Sequence, residues 1–191
     1  MIHSFEWLDR IILLRINSFH TLLLDSVMWG LSESWHTYLF VLVVAFSFYK
    51  KFNLKKAVEL VLGVAIVIAC TDMSSNLVKH AVKRYRPTHN LEIKDQINIV
   101  NDYKGGQYGF ISSHASNGFG ITTFLFFCIH WLNKKVKLLL FIYPIMIGYS
   151  RMYLGVHYPS DIFFGAIDGL IFGSLIYLVF NKYFLKLDEK T

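Results

Sequence analysis

The chain has 191 residues, of which 54% are hydrophobic and only 17% are charged. Soluble domains carry ~45–50% apolar and ~25% charged residues, so an ordinary soluble enzyme is the weaker reading and length allows one domain. The net charge of +6 does not imply a nucleic-acid partner, because many lysines and arginines fall between long apolar runs rather than on one solvated face. The excess reads instead as membrane orientation plus an anionic substrate. Cys70 and Cys128 stand alone in apolar stretches with no C-x-x-C or zinc spacing, which argues against a disulfide framework and a structural metal.

At the N-terminus Phe5, Leu8, Ile12, Ile16 and Phe19 recur at helical spacing, with Glu6, Asp9, Arg10 and Asn17 off that stripe. This pattern predicts an amphipathic helix lying in the membrane interface. Asp9, Arg10 and Arg15 interrupt any apolar core of a signal peptide, so none is expected. Two shorter spans follow, Thr21 to Leu31, interrupted by Asp25, and Trp35 to Tyr49, which has no formal charge. Four longer ones approach the ~17–25 residues a bilayer needs: Ala57 to Asn76, Ala115 to Leu132, Val136 to Tyr153 and Ile162 to Phe180. The expected fold is all-α, a six-transmembrane-helix bundle with an N-terminal interfacial amphipathic helix, in one domain over residues 1–191.

Three lysine clusters fall on one side of a six-helix count: Lys50, Lys51, Lys55 and Lys56; Lys134, Lys135 and Lys137; and Lys182, Lys186 and Lys190. Clustered lysines in short loops mark the cytoplasmic side, so the connections from Tyr85 to Ser113 and from Gly155 to Ser160 face outward. The outer helix ends nevertheless carry Lys79, Lys83, Arg84, Arg86 and Arg151, against the usual bias. A bound anion supplies the reason.

Lys79 and Arg86 are seven residues apart and share a helix face if the helix persists that far, with Lys83 joining them. Pro87 makes Arg86 a helix end. In the run from Gly109 to Ser116 a polar turn feeds an apolar helix, with Ser113 or Ser116 as cap and first-turn amides free to hold a phosphate. Ser112 adds a hydroxyl donor, and His114 can protonate a leaving oxygen. Further on, Arg151 offers a fork of donors, and His157 and Asp161 face each other at i, i+4 spacing. A carboxylate on one imidazole nitrogen leaves the other free to attack phosphorus.

With these residues in order, the chain resembles the type 2 phosphatidic acid phosphatase family, membrane lipid phosphatases that share an active-site plan with the vanadium haloperoxidases. The family's motifs K-x6-R-P, P-S-G-H and S-R-x5-H-x3-D correspond to Lys79 to Arg86-Pro87, Ile111-Ser112-Ser113-His114, and Ser150-Arg151 to His157 and Asp161. Ile111 and Ser113 depart from the second motif. The resemblance implies metal-independent hydrolysis without a cofactor, with His157 as nucleophile, Asp161 as its orienting partner and His114 as general acid. It also implies that Lys79, Arg86, Arg151, Ser112 and the Ser113 backbone hold the phosphate.

Residues 88–107 form an outer loop without clear period, a candidate lid over the lipid headgroup. Asp72 and Asp168 read as interhelical hydrogen-bond partners, and Gly165, Gly169 and Gly173 as a small-residue stripe for close helix packing. The family suggests undecaprenyl diphosphate or lipid A phosphate as substrate, with phosphatidylglycerol phosphate or phosphatidic acid as alternatives. The expected setting is a bacterial cytoplasmic membrane with the site facing outward. A transporter that binds lipid phosphate without cleaving it is the competing class; it has no need of His114, His157 and Asp161 together. An intramembrane serine protease lacks a G-x-S-x-G elbow. The orientation predicts that a cysteine at Gly106 reacts with an impermeant thiol reagent added to intact cells and one at Asn133 does not; the reverse pattern inverts the topology.

Overall fold

The structure, a computed structural model, describes the backbone of residues 2–185 and the side chains from residue 6 onward. Among the described residues the chain is all-helical, with one isolated antiparallel bridge between Tyr85 and Tyr108. Lys186 and Lys190, and the side chain of Phe5, lie outside the described residues. Helix α1, Ile2–Asn17, meets α2, Leu22–Ser32, at a 119° bend. Thr21 starts α2 by accepting a hydrogen bond from the Leu24 amide at 3.2 Å. Helix α3 is Trp35–Lys51 and α4 is Leu54–Val82, begun by the Asn53 side chain on the Lys56 amide. Short 3-10 turns at Pro87–His89 and Lys94–Gln96 punctuate the outer connection. Helix α5, Ser113–Cys128, is followed by the five-residue α6, Lys134–Leu138, and then by α7, Ile142–Tyr153, and α8, Pro159–Phe180.

Two helical runs, Leu54–Val82 and Pro159–Leu185, have the length and hydropathy to cross a bilayer, and the bent α1–α2 pair makes a third if it acts as one span. The stretches expected at Ala115 to Leu132 and Val136 to Tyr153 form shorter α-helices. The first stops at Cys128, giving 16 residues, and a 3-10 turn at Leu139–Phe141 leaves 12 to α7. Apolar side chains face outward, with Leu22 89%, Leu77 66% and Leu178 62% exposed. Such continuous apolar cover is not tolerated in water, and the chain is an integral membrane protein.

Helix α1 turns Leu8, Ile11 and Ile12 outward and buries Asp9 and Asn17. These two polar residues therefore face protein, because each finds partners there. The Asn17 side chain donates to the carbonyls of Asn98 and Tyr153 and accepts from the Asn98 amide at 2.8 Å. It thus ties α1 to the outer loop and to α7. That loop is anchored by buried Ile93, Ile97 and Val100. Ile97 lies against Gly155, whose φ of +70° and lack of a side chain allow the approach; a Cβ there falls 2.4 Å from Ile97 Cγ2.

The tightest seam joins α5 and α8. A Cβ on Gly165 falls 2.7 Å from the Ser112 carbonyl oxygen, one on Gly169 2.3 Å from that of Ser116, and one on Gly173 2.4 Å from that of Gly120. The stripe anticipated from sequence thus lets α8 lie directly on the α5 backbone. Asp168 accepts hydrogen bonds from Ser74 of α4 and Ser116 of α5, and Asp72 of α4 accepts from Asn117 of α5 at 3.0 Å, so both acids join helices as expected. Beneath them, Leu60, Val67, Phe124 and Leu125 form a fully covered apolar core. A Gly169→Leu substitution is expected to lower detergent-solubilised stability by at least about 1–3 kcal/mol through overpacking, whereas Gly30→Ala, with nothing within 4 Å of the added carbon, is not; thermal unfolding of both variants measures the difference.

Candidate active site

Helix α4 ends at Val82 because Lys83 adopts the left-handed conformation, φ 53°, and closes the helix by donating from its amide to the Lys79 carbonyl. Lys79 and Arg86 therefore do not share a helix face, and Lys83 points to solvent. The seven-residue spacing works differently: a turn after Val82 swings Arg86 back over the helix end. The Arg86 amide donates to the Gln107 carbonyl at 3.0 Å and the Gly109 amide to that of Arg84 at 2.9 Å, pinning the segment to the chain just before α5. Gly105 and Gly109 press on the Arg86 side chain, with Cβ positions 3.3 and 3.0 Å from its carbons.

Arg86 reaches the third motif. Its Nη1 donates to the Val156 carbonyl at 3.0 Å and to His157 Nε2 at 2.8 Å. A guanidinium is always the donor, so Nε2 carries the lone pair and Nδ1 the proton. Nδ1 then donates to Asp161 Oδ2 at 3.3 Å, across one turn at the start of α8. That carboxylate oxygen also accepts from the Tyr158 amide at 2.9 Å, and the Ser112 amide donates to the Asp161 carbonyl, which locks motif two onto motif three. His157 is 1% and Asp161 0% exposed. Burial, with the cations Arg86 and Arg151 close by, holds the His157 imidazole well below its ordinary pKa, which favours the neutral ring.

Ser112 caps α5, accepting from the Ala115 amide at 3.4 Å, in place of the Ser113 or Ser116 cap that the sequence allows. Its hydroxyl proton remains to be donated. Ser113 opens the helix with its amide in the unpaired first turn, and its side chain contacts Ser75, at 2.7 Å, and the Lys79 ammonium. Where the family has glycine, this chain uses the extra hydroxyl to place Lys79. His114 and Ser32, at the end of α2, line one cavity. Arg151, 2% exposed, donates to the hydroxyls of Ser32 and of Tyr103, the latter at 2.9 Å. The contacts of Arg86 with His157, of the Ser112 amide with Asp161 and of Lys79 with Ser113 bring the three motifs together. The Nε groups of Arg86 and Arg151 are buried without an acceptor among the described residues, which fits donors reserved for an anion.

Two contributors were not assigned from sequence. Arg84 donates to Asp161 Oδ1 at 2.9 Å, to Ser160 Oγ at 2.6 Å and to Asp9 Oδ2 at 2.7 Å, with its guanidinium 4.0 Å from the Tyr158 ring centroid. Asp9, from α1, also accepts from the Ser160 amide at 3.0 Å, at the start of α8. Arg84 was visible as one more outer cation, but nothing local distinguishes it from Lys83. The departure of Asp9 from the apolar stripe was the only signal for its role. His36, given no chemistry, bridges Tyr143 and the Leu31 carbonyl and serves the α2–α3 turn.

Charged and hydrogen-bonding side chains of this kind, gathered at one end of a helical bundle around an oriented imidazole, suit chemistry on a phosphoryl group. Residues 56–185 match the PAP2 superfamily, and the chain belongs to that family of phosphatases. It is 32% identical over 173 residues to the lipid A 4'-phosphatase of Porphyromonas gingivalis, spanning 90% of this chain and 72% of that protein. Against the lipid A 4'-phosphatase of Bacteroides thetaiotaomicron it is 31% identical over 193 residues, 100% of this chain and 85% of that one. The crystal structure of Aquifex aeolicus LpxE superposes with a TM-score of 0.65 at 25% identity, covering 92% of this chain and 96% of that one.

Removing Arg84 strands Asp161 in a site with 0% exposure. Arg84→Ala is expected to destabilise the protein by about 3 kcal/mol, the lower end for breaking a buried pair because Arg84 itself is partly exposed. The drop in unfolding temperature should shrink markedly in an Asp161→Asn background if the stranded carboxylate is its cause; full additivity would separate the two.

Proposed function

We propose that the protein hydrolyses the phosphomonoester of a membrane lipid at the extracytoplasmic face, through a phosphohistidine on His157, and that a lipid A phosphate is its substrate. The observation that carries this reading is the state of His157, whose Nδ1 is committed to Asp161 and whose Nε2 lone pair is turned toward the Arg86 guanidinium. A phosphate entering the pocket competes for that guanidinium. Once Arg86 turns to a phosphoryl oxygen, Nε2 is free to attack phosphorus. The P–O bond to the lipid then breaks, and His114, which burial and the cations Arg151, Arg86 and Lys79 keep neutral in the free protein, gives the departing alkoxide the proton it takes up once the phosphate dianion offsets those cations. Water, losing its proton to His114, next cleaves the P–N bond, releasing phosphate and restoring His157. Throughout, Lys79, Arg86, Arg151, the Ser112 hydroxyl and the Ser113 amide hold the equatorial oxygens, each charge-assisted bond being worth about 1.5–3 kcal/mol. These cations supply the charge stabilisation that other phosphatases draw from a metal, so turnover needs none.

The choice of lipid rests on the relatives, two of which are named lipid A 4'-phosphatases. A six-crossing bundle accommodates the observed helices: α3 has 17 residues and no charge before Lys50, and Lys134 to Tyr153 runs helically apart from one 3-10 turn. In that arrangement α1 lies in the outer interface with its apolar face in lipid and Asp9 on the site, and residues 88–107 cover the headgroup. Phosphate release from purified protein in detergent tests the chemistry. Release is expected to persist in chelator, to be blocked by vanadate, and to fall by about 10³-fold or more in His157→Ala. Activity lost in chelator, or undiminished in that variant, refutes the reading.

A further inference from the structure

A cavity of about 310 Å³ adjoins the site on the side of His114. Ser113 and His114 line it, whereas His157, Arg86 and Arg151 do not. Attack and departure at phosphorus occur in line, so the leaving oxygen lies opposite the attacking imidazole and next to its proton donor. Space beyond His114 is therefore space for whatever the phosphate was attached to. Its volume stands at the small end of ligand pockets, enough for a ring-sized polar group but not for acyl chains.

The lining divides in character. Leu31, Ile68, Ile121 and Ile147 give apolar walls, and Ser34, Thr37 and Asn117 give neutral hydrogen-bonding groups. Its only charged side chains are Glu33, on the α2–α3 turn, and Asp72, on α4; neither lysine nor arginine lines it among the described residues. The phosphoryl side, by contrast, holds Lys79, Arg86 and Arg151. The carboxylates thus stand on the cavity wall itself, whereas Lys79 and Arg151 reach it only through the hydroxyls of Ser113 and Ser32. Carboxylates accept hydrogen bonds from hydroxyl and amide groups and repel a second phosphate. The turn itself is fixed. His36 Nε2 donates to the Leu31 carbonyl at 2.8 Å, so its Nδ1 accepts from the Tyr143 hydroxyl at 2.9 Å, and Thr37 donates to that same oxygen.

Building on the phosphatase reading above, we infer that this cavity is the leaving-group subsite, and that Glu33 and Asp72 make it select an uncharged, hydroxyl-bearing alcohol such as a sugar ring over the phosphate leaving group of a diphosphate. The enzyme is thus a monoesterase of a glycolipid, and a prenyl diphosphate fits its phosphoryl pocket but not its exit side.

The test is the ratio of kcat/KM on a glucosamine-based lipid monophosphate to kcat/KM on a prenyl diphosphate, in the same detergent. Glu33 is exposed and its side chain makes no hydrogen bond in the fold, so Glu33→Lys and Glu33→Gln should fold. Wild type is expected to prefer the monophosphate. Glu33→Lys should lower the ratio about tenfold, with Glu33→Gln between, as charge reversal and neutralisation dictate. A general structural defect would slow both substrates alike and leave the ratio unmoved. A wild-type preference for the diphosphate, or an unchanged ratio in both variants, overturns the subsite assignment while leaving the phosphatase standing. Release from neither substrate, with no effect of His157→Ala, overturns the phosphatase reading and the subsite with it.

Discussion

Asp161 carries a carboxylate into a position with no solvent exposure, and its neighbours from α1, from the turn after α4 and from the start of α8 are arranged around keeping it there. An isolated charge so placed is untenable. Its two oxygens are shared among the Arg84 guanidinium, the Tyr158 amide and His157 Nδ1. Arg84 in turn needs Asp9, and Asp9 also holds the Ser160 amide. The line Asp9, Arg84, Asp161, His157, Arg86 alternates in sign until it reaches the neutral imidazole. Arg86 sets the His157 tautomer, and a residue of α1, acting through two intermediaries, supports the carboxylate that receives its proton. A static chain of this kind suits electrostatic catalysis, where dipoles already in place avoid reorganisation during reaction.

Distance across the pocket is set elsewhere, by the glycine seam of α5 and α8. The Gly165 contact with the Ser112 carbonyl brings the α8 start against the α5 start, which places the Ser112 cap beside Asp161. Bulk at that seam separates motif two from motif three before it disturbs either alone. Asp72 and Asp168 extend the same logic downward as hydrogen-bonded ties among α4, α5 and α8.

The sequence revealed the parts whose meaning is local. The long helices Leu54–Val82 and Pro159–Phe180 follow from apolar run length, and the i, i+4 relation of His157 to Asp161 follows from helical rise, so these were legible. The helix end at Val82 was less so: Lys83 takes a positive φ that glycine or asparagine would have advertised. Hence the shared face expected for Lys79 and Arg86 gave way to a turn that joins them through space. Asp9, Arg84 and Ser32 were illegible for another reason. Their partners lie 151, 77 and 119 positions away, in Ser160, Asp161 and Arg151, and no periodicity carries such pairings. The charge asymmetry around His114 was hidden likewise, because Glu33 and Asp72 sit on elements that only tertiary packing brings to one cavity.

The tie from Asp9 to Ser160 has a bearing on how the protein is made. Because α1 is synthesised well ahead of α8, Asp9 can pair with Arg84 before the Ser160 amide exists. The network around Asp161 is therefore completed only when α8 packs against α1.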